Sequence, residues 1–337
     1  MVESTGGGVI DPESPPSCAG SSVVTISGSQ FDYVYTVNGQ RQGIRGVGYN
    51  SVYRFLTPGE RAERYRKDFV QMKKSGINTI IGWEKDKGYD HDRFDELTLG
   101  VAQEYGIGVI MPYYLPPDAN YKDPSLREWL KQNVAAMVER FKDCPAVRMW
   151  GIGNEVLFAI EGDERAQGFA EFYVELADMV RQLDPNHPVL YREAEDPFAY
   201  FIAEALARDG VKRPWLAYGM NIYTYRIQTA LASWRTNGWD GPVIVSEFAP
   251  IGVNRGERAD AYVSMWNIIR SHPAIVLGGI LYVWTTAGPE PVDGTYGLVD
   301  ENGVPVDESL AKMTAVFNSE ALAEVAEVGT GEPLSRR

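Results

Sequence analysis

The sequence predicts an α/β protein of the (β/α)8-barrel class, with a short N-terminal β-hairpin that closes one end of the barrel. Three observations support this prediction. Eight short apolar runs recur along the chain about 33 residues apart, which is a typical length for one strand and one helix of such a barrel. Segments with helical periodicity separate the runs. A segment of alternating apolar and polar residues, with a tight-turn dipeptide, precedes the first run.

The first 20 residues are rich in Gly, Ser and Pro, and we expect a flexible tail there. So little apolar surface cannot offset the entropy lost on ordering the chain. The two cysteines, Cys18 in this tail and Cys144 after a helical segment, show no spacing that pairs them, so we expect two unconnected thiols. The tail lacks the apolar core of a signal peptide, so an export signal has been removed or was never present.

Residues 22–42 alternate apolar and polar side chains around a turn at Asn38-Gly39, which predicts short antiparallel strands. The eight apolar runs follow. They begin near Ile44, Ile77, Ile107, Val147, Val189, Trp215, Val243 and Ile275. We expect residues 21–319 to form one catalytic barrel that includes the hairpin, and residues 320–337 to form a frayed C-terminal tail.

Alternating strands and helices fit either an open doubly wound sheet or a closed barrel. The first strand leads into residues 46–50 (GVGYN), which lack the spacing of a nucleotide-binding phosphate loop. Eight evenly spaced units favour the closed barrel. The chain has a formal net charge of −14, which makes nucleic acid an improbable partner, and no apolar stretch approaches the ~20 residues that span a membrane.

Two glutamates follow apolar strands at the end of the barrel where active sites lie, which is the end that holds the carboxyl ends of the strands. Asn154 and Glu155 end the fourth run, and Glu247 ends the seventh. Strands three steps apart in a ring of eight can direct two carboxyl groups into one cleft. Glycoside hydrolysis requires such a pair, and a separation of about 5–5.5 Å gives retention of configuration.

The sequence resembles clan A glycoside hydrolases over roughly residues 35–310, especially the barrel domains of family 2, family 5 and the fungal glucanosyltransferases. The resemblance rests on the order and spacing of eight short motifs. These are residues 37–39 (VNG), 44–50 (IRGVGYN), 74–80 (KSGINTI), 150–155 (WGIGNE), 184–189 (DPNHPV), 221–223 (NIY), 246–248 (SEF) and 296–300 (YGLVD).

The resemblance implies that Glu155 is the acid/base and Glu247 the nucleophile. It also implies that Asn154 holds a sugar hydroxyl, that Tyr223 hydrogen-bonds Glu247 and that Trp284 forms the floor of the cleaved-sugar subsite. We expect hydrogen-bond donors near Glu247 to keep its pKa low, and burial beside Glu247 to raise the pKa of Glu155.

The sequence departs from these relatives in one respect. They place a basic residue at the end of the second strand, where this chain has Trp83, and we expect Arg45 or Arg54 to replace it. We also expect Trp83, Tyr114 and Trp239 to offer aromatic faces to sugar rings. Glu193 and Glu195 lie near another strand end, where they could bind sugar hydroxyls or compete with the two assigned acids. We expect no cofactor and no metal ion.

These features predict a retaining β-glycosidase that acts on an oligosaccharide or polysaccharide, with β-glucan favoured and transglycosylation as a further activity. Such a substrate favours an extracellular or periplasmic location. Two alternatives stay open. One is a carbohydrate-binding barrel without turnover, and the other is a phosphate-handling barrel enzyme, since fold does not dictate function. The sequence indicates no oligomeric state.

Overall fold

Three antiparallel strands precede a closed barrel of eight parallel strands. A computed structural model of the protein describes Cys18 and residues 20–29, 32–83, 94–195, 198–224, 226–236 and 238–330. The first three strands are β1 (Val24–Ser29), β2 (Asp32–Val37) and β3 (Gln40–Arg41). The barrel strands are β4 (Ile44–Gly48), β5 (Thr79–Ile81), β6 (Gly108–Tyr113), β7 (Val147–Asn154), β8 (Val189–Glu193), β9 (Leu216–Ile222), β10 (Val243–Phe248) and β11 (Val276–Leu281).

Helices connect the barrel strands. They are α1 (Pro58–Lys74), α2 (Glu96–Tyr105), α3 (Pro124–Phe141), α4 (Val156–Ala159), α5 (Asp163–Leu183), α6 (Ala199–Ala207), α7 (Ile227–Ala232), α8 (Arg258–Arg270), α9 (Asp293–Tyr296) and α10 (Ser309–Thr330), with a 3₁₀ turn at Trp234–Thr236. Local sequence sets several ends: Thr57 and Glu60 form a capping box on α1, and Asp123 caps α3 before Pro124. The predicted barrel is confirmed, and each strand begins within two residues of its predicted run.

The N-terminal sheet closes the amino end of the barrel, as predicted. Asn38 and Gly39 have positive φ angles of 50° and 76°, as a tight hairpin turn requires. The apolar face of this sheet packs against inward-facing side chains from all eight barrel strands. The contributing residues are Val24, Ile26, Tyr33, Tyr35 and Val37 from the sheet, and Ile44, Ile81, Ile110, Met149, Leu190, Ala217, Ile244, Leu277 and Ile280 from the barrel. The interior of the barrel at this end is therefore a packed core.

Cys18 and Cys144 form a disulfide bond, so the prediction of two unconnected thiols is wrong. The reason lies in the next few residues. Ser22 is fully buried, donates to Val147 O (2.8 Å) and lies 2.9 Å from His187 Nε2. These contacts hold the N-terminal segment against the start of β7, beside Cys144. Composition alone could not show this docking.

The C-terminal helix α10 continues past the predicted boundary at residue 319. Glu320 accepts a hydrogen bond from Trp266 Nε1 (2.8 Å), and Glu324 forms an ion pair with Arg45 (2.6 Å). These contacts join the helix to α8 and β4. Within the described residues, no helix combines the length and apolar character needed to cross a membrane.

Candidate active site

Glu155 and Glu247 lie at the open, carboxyl end of the barrel. Glu155 immediately follows β7, and Glu247 is the last residue but one of β10, with β8 and β9 between these strands. Both carboxylates interact electrostatically with the same buried cation, Arg192 of β8. Burial lowers the pKa of Arg192, and the charges of Glu247 and Glu155 raise it. The structure therefore brings the two predicted acids into one charged cluster.

The backbone at Glu155 has an unusual conformation that turns its side chain into the barrel mouth. Its φ and ψ angles are 53° and 34°, in the left-handed region that few side chains adopt. Its N–H donates to Arg192 O (3.0 Å), and the carboxylate of Glu193 accepts from Leu157 N (2.8 Å) and Phe158 N (3.3 Å). These bonds fix the chain on both sides of Glu155. Unfavourable backbone geometry held in this way is typical of functional sites.

Asn221 of β9 links the two catalytic strands. Its Nδ2 donates to Glu155 Oε1 (3.0 Å) and to Asn154 Oδ1 (3.1 Å), while its Oδ1 accepts from Ser246 Oγ (2.7 Å). Because a carboxylate oxygen accepts hydrogen bonds, the amide nitrogen of Asn221 faces Glu155 and its amide oxygen faces the Ser246 hydroxyl. Asn221 therefore sets the position of one Glu155 oxygen and of the Asn154 side chain.

Glu247 is 3% exposed, and both of its oxygens accept hydrogen bonds. Trp83 Nε1 donates to Oε1 (3.0 Å), and the Tyr223 hydroxyl donates to Oε2. Arg192 Nη1 lies 3.9 Å from Oε1, close enough for charge attraction but too far for a hydrogen bond. These contacts orient the carboxylate. The structure thus places Tyr223 and Trp83, both predicted from sequence, against Glu247.

The pKa of Glu247 is raised to about 7, against our expectation that donors would keep it low. Burial raises it most, and the negative charge of Glu155 raises it further. Arg192, Tyr223 and Trp83 lower it, but they do not offset the first two effects. In the substrate-free protein, the Glu247 carboxyl therefore keeps a proton below about pH 7, and turnover that needs an ionised Glu247 will fall in acid.

Tyr282, which immediately follows β11, lies beside the nucleophile candidate and was missed in the sequence. Its ring makes edge contacts with Trp83 (5.6 Å between centroids) and Tyr223 (5.5 Å), the two donors to Glu247. Its hydroxyl donates to Asp293 Oδ1 (2.9 Å). Trp284, predicted as the sugar platform, is fully buried and lies instead near Asp68 on α1, where burial raises the pKa of Asp68 and Trp284 offsets part of that rise. Strict use of the strand-end rule would have favoured Tyr282 over Trp284.

Two predicted sugar contacts lie at the opposite end of the barrel. Arg45 donates to Glu324 Oε1 (2.6 Å) and to Gly76 O (3.3 Å), near the start of β5, so it cannot replace the missing basic residue beside Glu247. Trp239 precedes β10, packs on the ring of Tyr218 and lines a cleft beside the N-terminal sheet. Position along the chain explains both errors, because Arg45 is near the start of its strand and Trp239 comes before its strand.

Tyr114 follows β6 and is half-buried, and its role as a sugar contact stays a prediction. Glu193 and Glu195 support the site. The oxygens of Glu193 accept backbone bonds at the start of α4, and burial raises its pKa to about 7. Glu195 accepts from Tyr223 N and Thr224 Oγ1, both at 2.9 Å. Within the described parts of the chain, no group of three or more His, Cys, Asp or Glu side chains is arranged to hold a metal ion.

Residues 30–284 match the family model described as the TIM barrel domain of glycosyl hydrolases family 2. The chain belongs to glycoside hydrolase family 2. This match covers most of the barrel, and it confirms the family resemblance predicted from the sequence motifs. It includes the strands that carry Glu155 and Glu247.

Curated relatives of this family 2 chain include two β-galactosidases. The one from Vibrio cholerae is 24% identical over 261 residues, which are 75% of this chain and 23% of that protein. The one from Aeromonas hydrophila is 26% identical over 260 residues, or 75% of this chain and 22% of that protein. The chain thus spans under a quarter of the length of these curated relatives.

Solved structures of a family 2 β-galacturonidase and of a β-glucuronidase share the fold. A β-galacturonidase from Eisenbergiella tayi, bound to galacturonate, superposes with a TM-score of 0.64 at 17% identity, and the match covers 88% of this chain and 54% of that one. A Bacteroides uniformis β-glucuronidase gives a TM-score of 0.65 at 16% identity, covering 87% and 37%. At such low identity these similarities show the fold alone.

Proposed function

We propose that this family 2 barrel is a retaining β-glycosidase in which Glu155 is the acid/base and Glu247 the nucleophile. One observation carries the proposal. Two carboxylates on strands three steps apart share a buried cluster with Arg192, and each is oriented by a side chain near the end of β9. The oriented pair matches the needs of a double-displacement reaction. Family membership and β-galactosidase relatives support the same activity.

The first step forms a covalent intermediate. The Glu247 carboxylate attacks the anomeric carbon, and the bond from that carbon to the glycosidic oxygen breaks. Glu155 gives its proton to the leaving oxygen, so that an alcohol departs. Trp83 and Tyr223 hold the attacking carboxylate in a fixed orientation by their hydrogen bonds.

The second step returns the enzyme to its starting state. Glu155, now a carboxylate, takes a proton from water, and the oxygen of this water attacks the anomeric carbon. The bond from that carbon to Glu247 breaks, and two inversions give net retention. When a sugar hydroxyl takes the place of water, the same step is a transglycosylation.

We propose a neutral β-hexopyranoside as the substrate, with β-galactosides ahead of the β-glucans that the sequence favoured. The curated relatives are β-galactosidases. Charge supports a neutral sugar. In the reactive enzyme the Glu247 carboxylate already balances Arg192, so the carboxylate of a uronic acid would add a negative charge that this cluster does not compensate. We therefore rank uronides such as glucuronides below galactosides, although the family includes uronidases.

A substrate panel tests the proposal. Aryl β-galactoside, β-glucoside, β-mannoside and β-glucuronide are offered with β-glucan oligomers, and products are sized with and without an acceptor sugar. We expect turnover of at least one β-glycoside, with the β-anomer formed first. Glycan binding without hydrolysis of any of them would favour the alternative, a binding barrel without turnover. Formation of the α-anomer first would contradict the retaining mechanism.

We also propose that the protein works outside the cytoplasm, on glycans present there. The Cys18–Cys144 disulfide supports this, because such bonds form and persist in oxidising compartments. Fractionation of the source cells with an antibody, followed by titration of free thiols in the recovered protein, tests the location. Recovery from the cytoplasm with two free thiols would contradict it.

A further inference from the structure

Arg192 is a buried cation whose hydrogen bonds are incomplete. It lies on β8 and is 2% exposed. Its Nε and Nη1 atoms find no hydrogen-bond partner in the part of the chain that the structure describes. A buried guanidinium without its full set of bonds is costly, and proteins retain one when it interacts with charges that need it.

The charges around Arg192 come from several elements. Arg192 Nη1 lies 3.9 Å from Glu247 Oε1 on β10, and Arg192 O accepts a hydrogen bond from the N–H of Glu155 after β7 (3.0 Å). After burial, these two acids affect the pKa of Arg192 most, followed by Tyr173 on α5 and Tyr223 after β9. Two more groups face Glu247: the Trp83 indole, which donates to it, and the Tyr282 hydroxyl, whose pKa is raised by burial, by Asp293 and by Glu247. Arg192 is thus the positive charge among these groups, and both acids interact with it.

We propose that Arg192 is a positioning residue that keeps the acid pair electrically balanced in both steps of the reaction. This inference rests on the proposed glycosidase activity. Before the first step, Arg192 is the counterion of the Glu247 carboxylate, while Glu155 carries a proton. In the covalent intermediate, Glu247 is an uncharged ester and Glu155 has lost its proton, so Arg192 becomes the counterion of Glu155.

The net charge of Glu155, Glu247 and Arg192 together is the same before and after the first step. The reactive free enzyme holds one negative charge on Glu247 and one positive charge on Arg192. The intermediate holds one negative charge on Glu155 and the same positive charge. The cluster is neutral in both states, so neither step creates a net charge in a buried site, where it would be expensive. A cation that faced Glu247 alone would serve only the first step.

The test compares pH profiles of Arg192→Met and Arg192→Lys with the wild type on an activated aryl β-glycoside, whose leaving group needs no proton. The profile of kcat/KM then reports ionisation of Glu247 in the free enzyme. The profile of kcat reports ionisation of Glu155 in the intermediate when the second step is slow. Without the cation, we expect the acid limbs of both profiles to move up by about one to two pH units. Arg192→Lys should restore most of each shift.

A matched control is Arg213→Met. Arg213 also has a buried side chain, but it pairs with Asp178 and Asp209, and it precedes β9 at the closed end of the barrel. Its loss should lower the unfolding temperature and leave both acid limbs in place. If Arg192→Met behaves like this control, or if only one limb moves, the proposal is wrong. It is equally wrong if Lys and Met at position 192 give identical shifts.

A second measurement needs no substrate and separates this proposal from the proposed function. Unfolding midpoints at pH 8 are compared for the wild type, Arg192→Met, the double variant Glu155→Gln/Glu247→Gln and the triple variant that combines all three changes. We expect Arg192→Met to lower the midpoint much less in the background with both Gln substitutions, because the two anions that need a counterion are gone. Equal losses in both backgrounds would overturn the proposal even if the enzyme is active. A wild type that cleaves no β-glycoside would contradict the proposed function alone. If Arg192→Met does not fold, Arg192→Gln takes its place.

Discussion

The two ends of the barrel each hold a buried polar network, but only one network is fully satisfied. At the closed end, Asp184 Oδ2 accepts from His187 Nδ1 (2.6 Å) and Trp150 Nε1 (2.8 Å), and its Oδ1 accepts from Asn186 N (2.9 Å). At the open end, Arg192 has unbonded nitrogens and Glu155 has a left-handed backbone. The first network has partners for its polar atoms, and the second keeps unpaired buried nitrogens beside the two candidate catalytic acids.

The pKa values of two buried acids show the same contrast. Burial raises the pKa of Asp184, but the hydrogen bond and charge of His187, together with the bonds from Asn186 and Trp150, outweigh burial and leave the pKa below its usual value. Burial also raises the pKa of Glu247, and there the negative Glu155 adds to the effect, so the pKa reaches about 7. Complete hydrogen bonding favours the charged form of a buried carboxylate, while a second acid close by disfavours it and brings its pKa towards neutrality.

The closed end of the barrel also contains three buried residues that resemble a catalytic triad. Ser22, His187 and Asp184 are the residue types of a hydrolytic triad, and their atoms lie at hydrogen-bond distances. However, Ser22 and His187 have no exposed surface, so no substrate can reach them. They hold the N-terminal segment against the barrel, together with the disulfide.

The largest expected effect is the loss of activity in the variant Glu247→Gln, at the open end of the barrel. Loss of the nucleophile should reduce kcat/KM on an aryl β-glycoside by roughly four to six orders of magnitude, because no covalent intermediate can form. Steady-state rates of the purified variant measure this. The closed-end variant Asp184→Asn is the control and should keep its kcat/KM at temperatures where it is folded. Similar losses in the two variants would remove the distinction between the ends.

The second effect depends on the leaving group. Glu155→Gln should reduce kcat/KM by about 10²- to 10⁴-fold on substrates with poor leaving groups, because these require protonation. Aryl glycosides with acidic phenols should lose far less in this first step. A series of aryl β-glycosides that spans phenol pKa values measures the difference. Equal losses along the series would contradict the acid role.

At the closed end we expect a loss of stability instead of activity. Replacing Cys18 and Cys144 together by Ser should lower the free energy of unfolding by about 2–4 kcal/mol, because the unfolded chain is no longer cross-linked. Denaturant unfolding, with and without reductant, measures it. Reductant should weaken the wild type and leave the double variant unchanged. A fall in kcat/KM at temperatures where the variant is folded would show that the two ends are coupled.

The last effect is a pH-dependent gain in stability. Unfolded Glu247 titrates near 4.5 and folded Glu247 near 7, so the unfolded state loses its proton first as pH rises. Stability therefore falls between these pH values and stays lower above them. Glu247→Gln removes this penalty, which is about 3 kcal/mol for a pKa raised from 4.5 to about 7. Thermal unfolding should show a variant more stable than wild type at pH 8 and of equal stability near pH 4. A gain that does not vary with pH would contradict the raised pKa.

The comparison of the two ends also shows what the sequence could and could not predict. Periodicity located the barrel strands, because each strand buries its apolar residues locally. Strand ends located Glu155 and Glu247, and the family resemblance located Tyr223. Arg192 was missed although it is the last residue but one of β8, as Glu247 is of β10, because the sequence does not show which side chains near a strand end face the cleft. The Cys18–Cys144 bond was missed because it depends on long-range docking.

The aromatic residues were the least predictable part of the site. Trp83, Trp239 and Trp284 all lie near strands, and only the structure separates the one that contacts Glu247 from the two that pack elsewhere. An aromatic side chain suits a sugar ring and a protein core equally well. Its direction, which the sequence does not encode locally, decides between them.

Trapping of the covalent intermediate tests the central claim most directly. The protein is incubated with an activated 2-deoxy-2-fluoro-β-glycoside of the sugar that it cleaves best, and the labelled peptide is identified by mass spectrometry. The account predicts one sugar per chain, attached to Glu247, with activity lost at the same rate as label is gained. A label on Glu155, Glu193 or Glu195, or inactivation without attachment to Glu247, would contradict it.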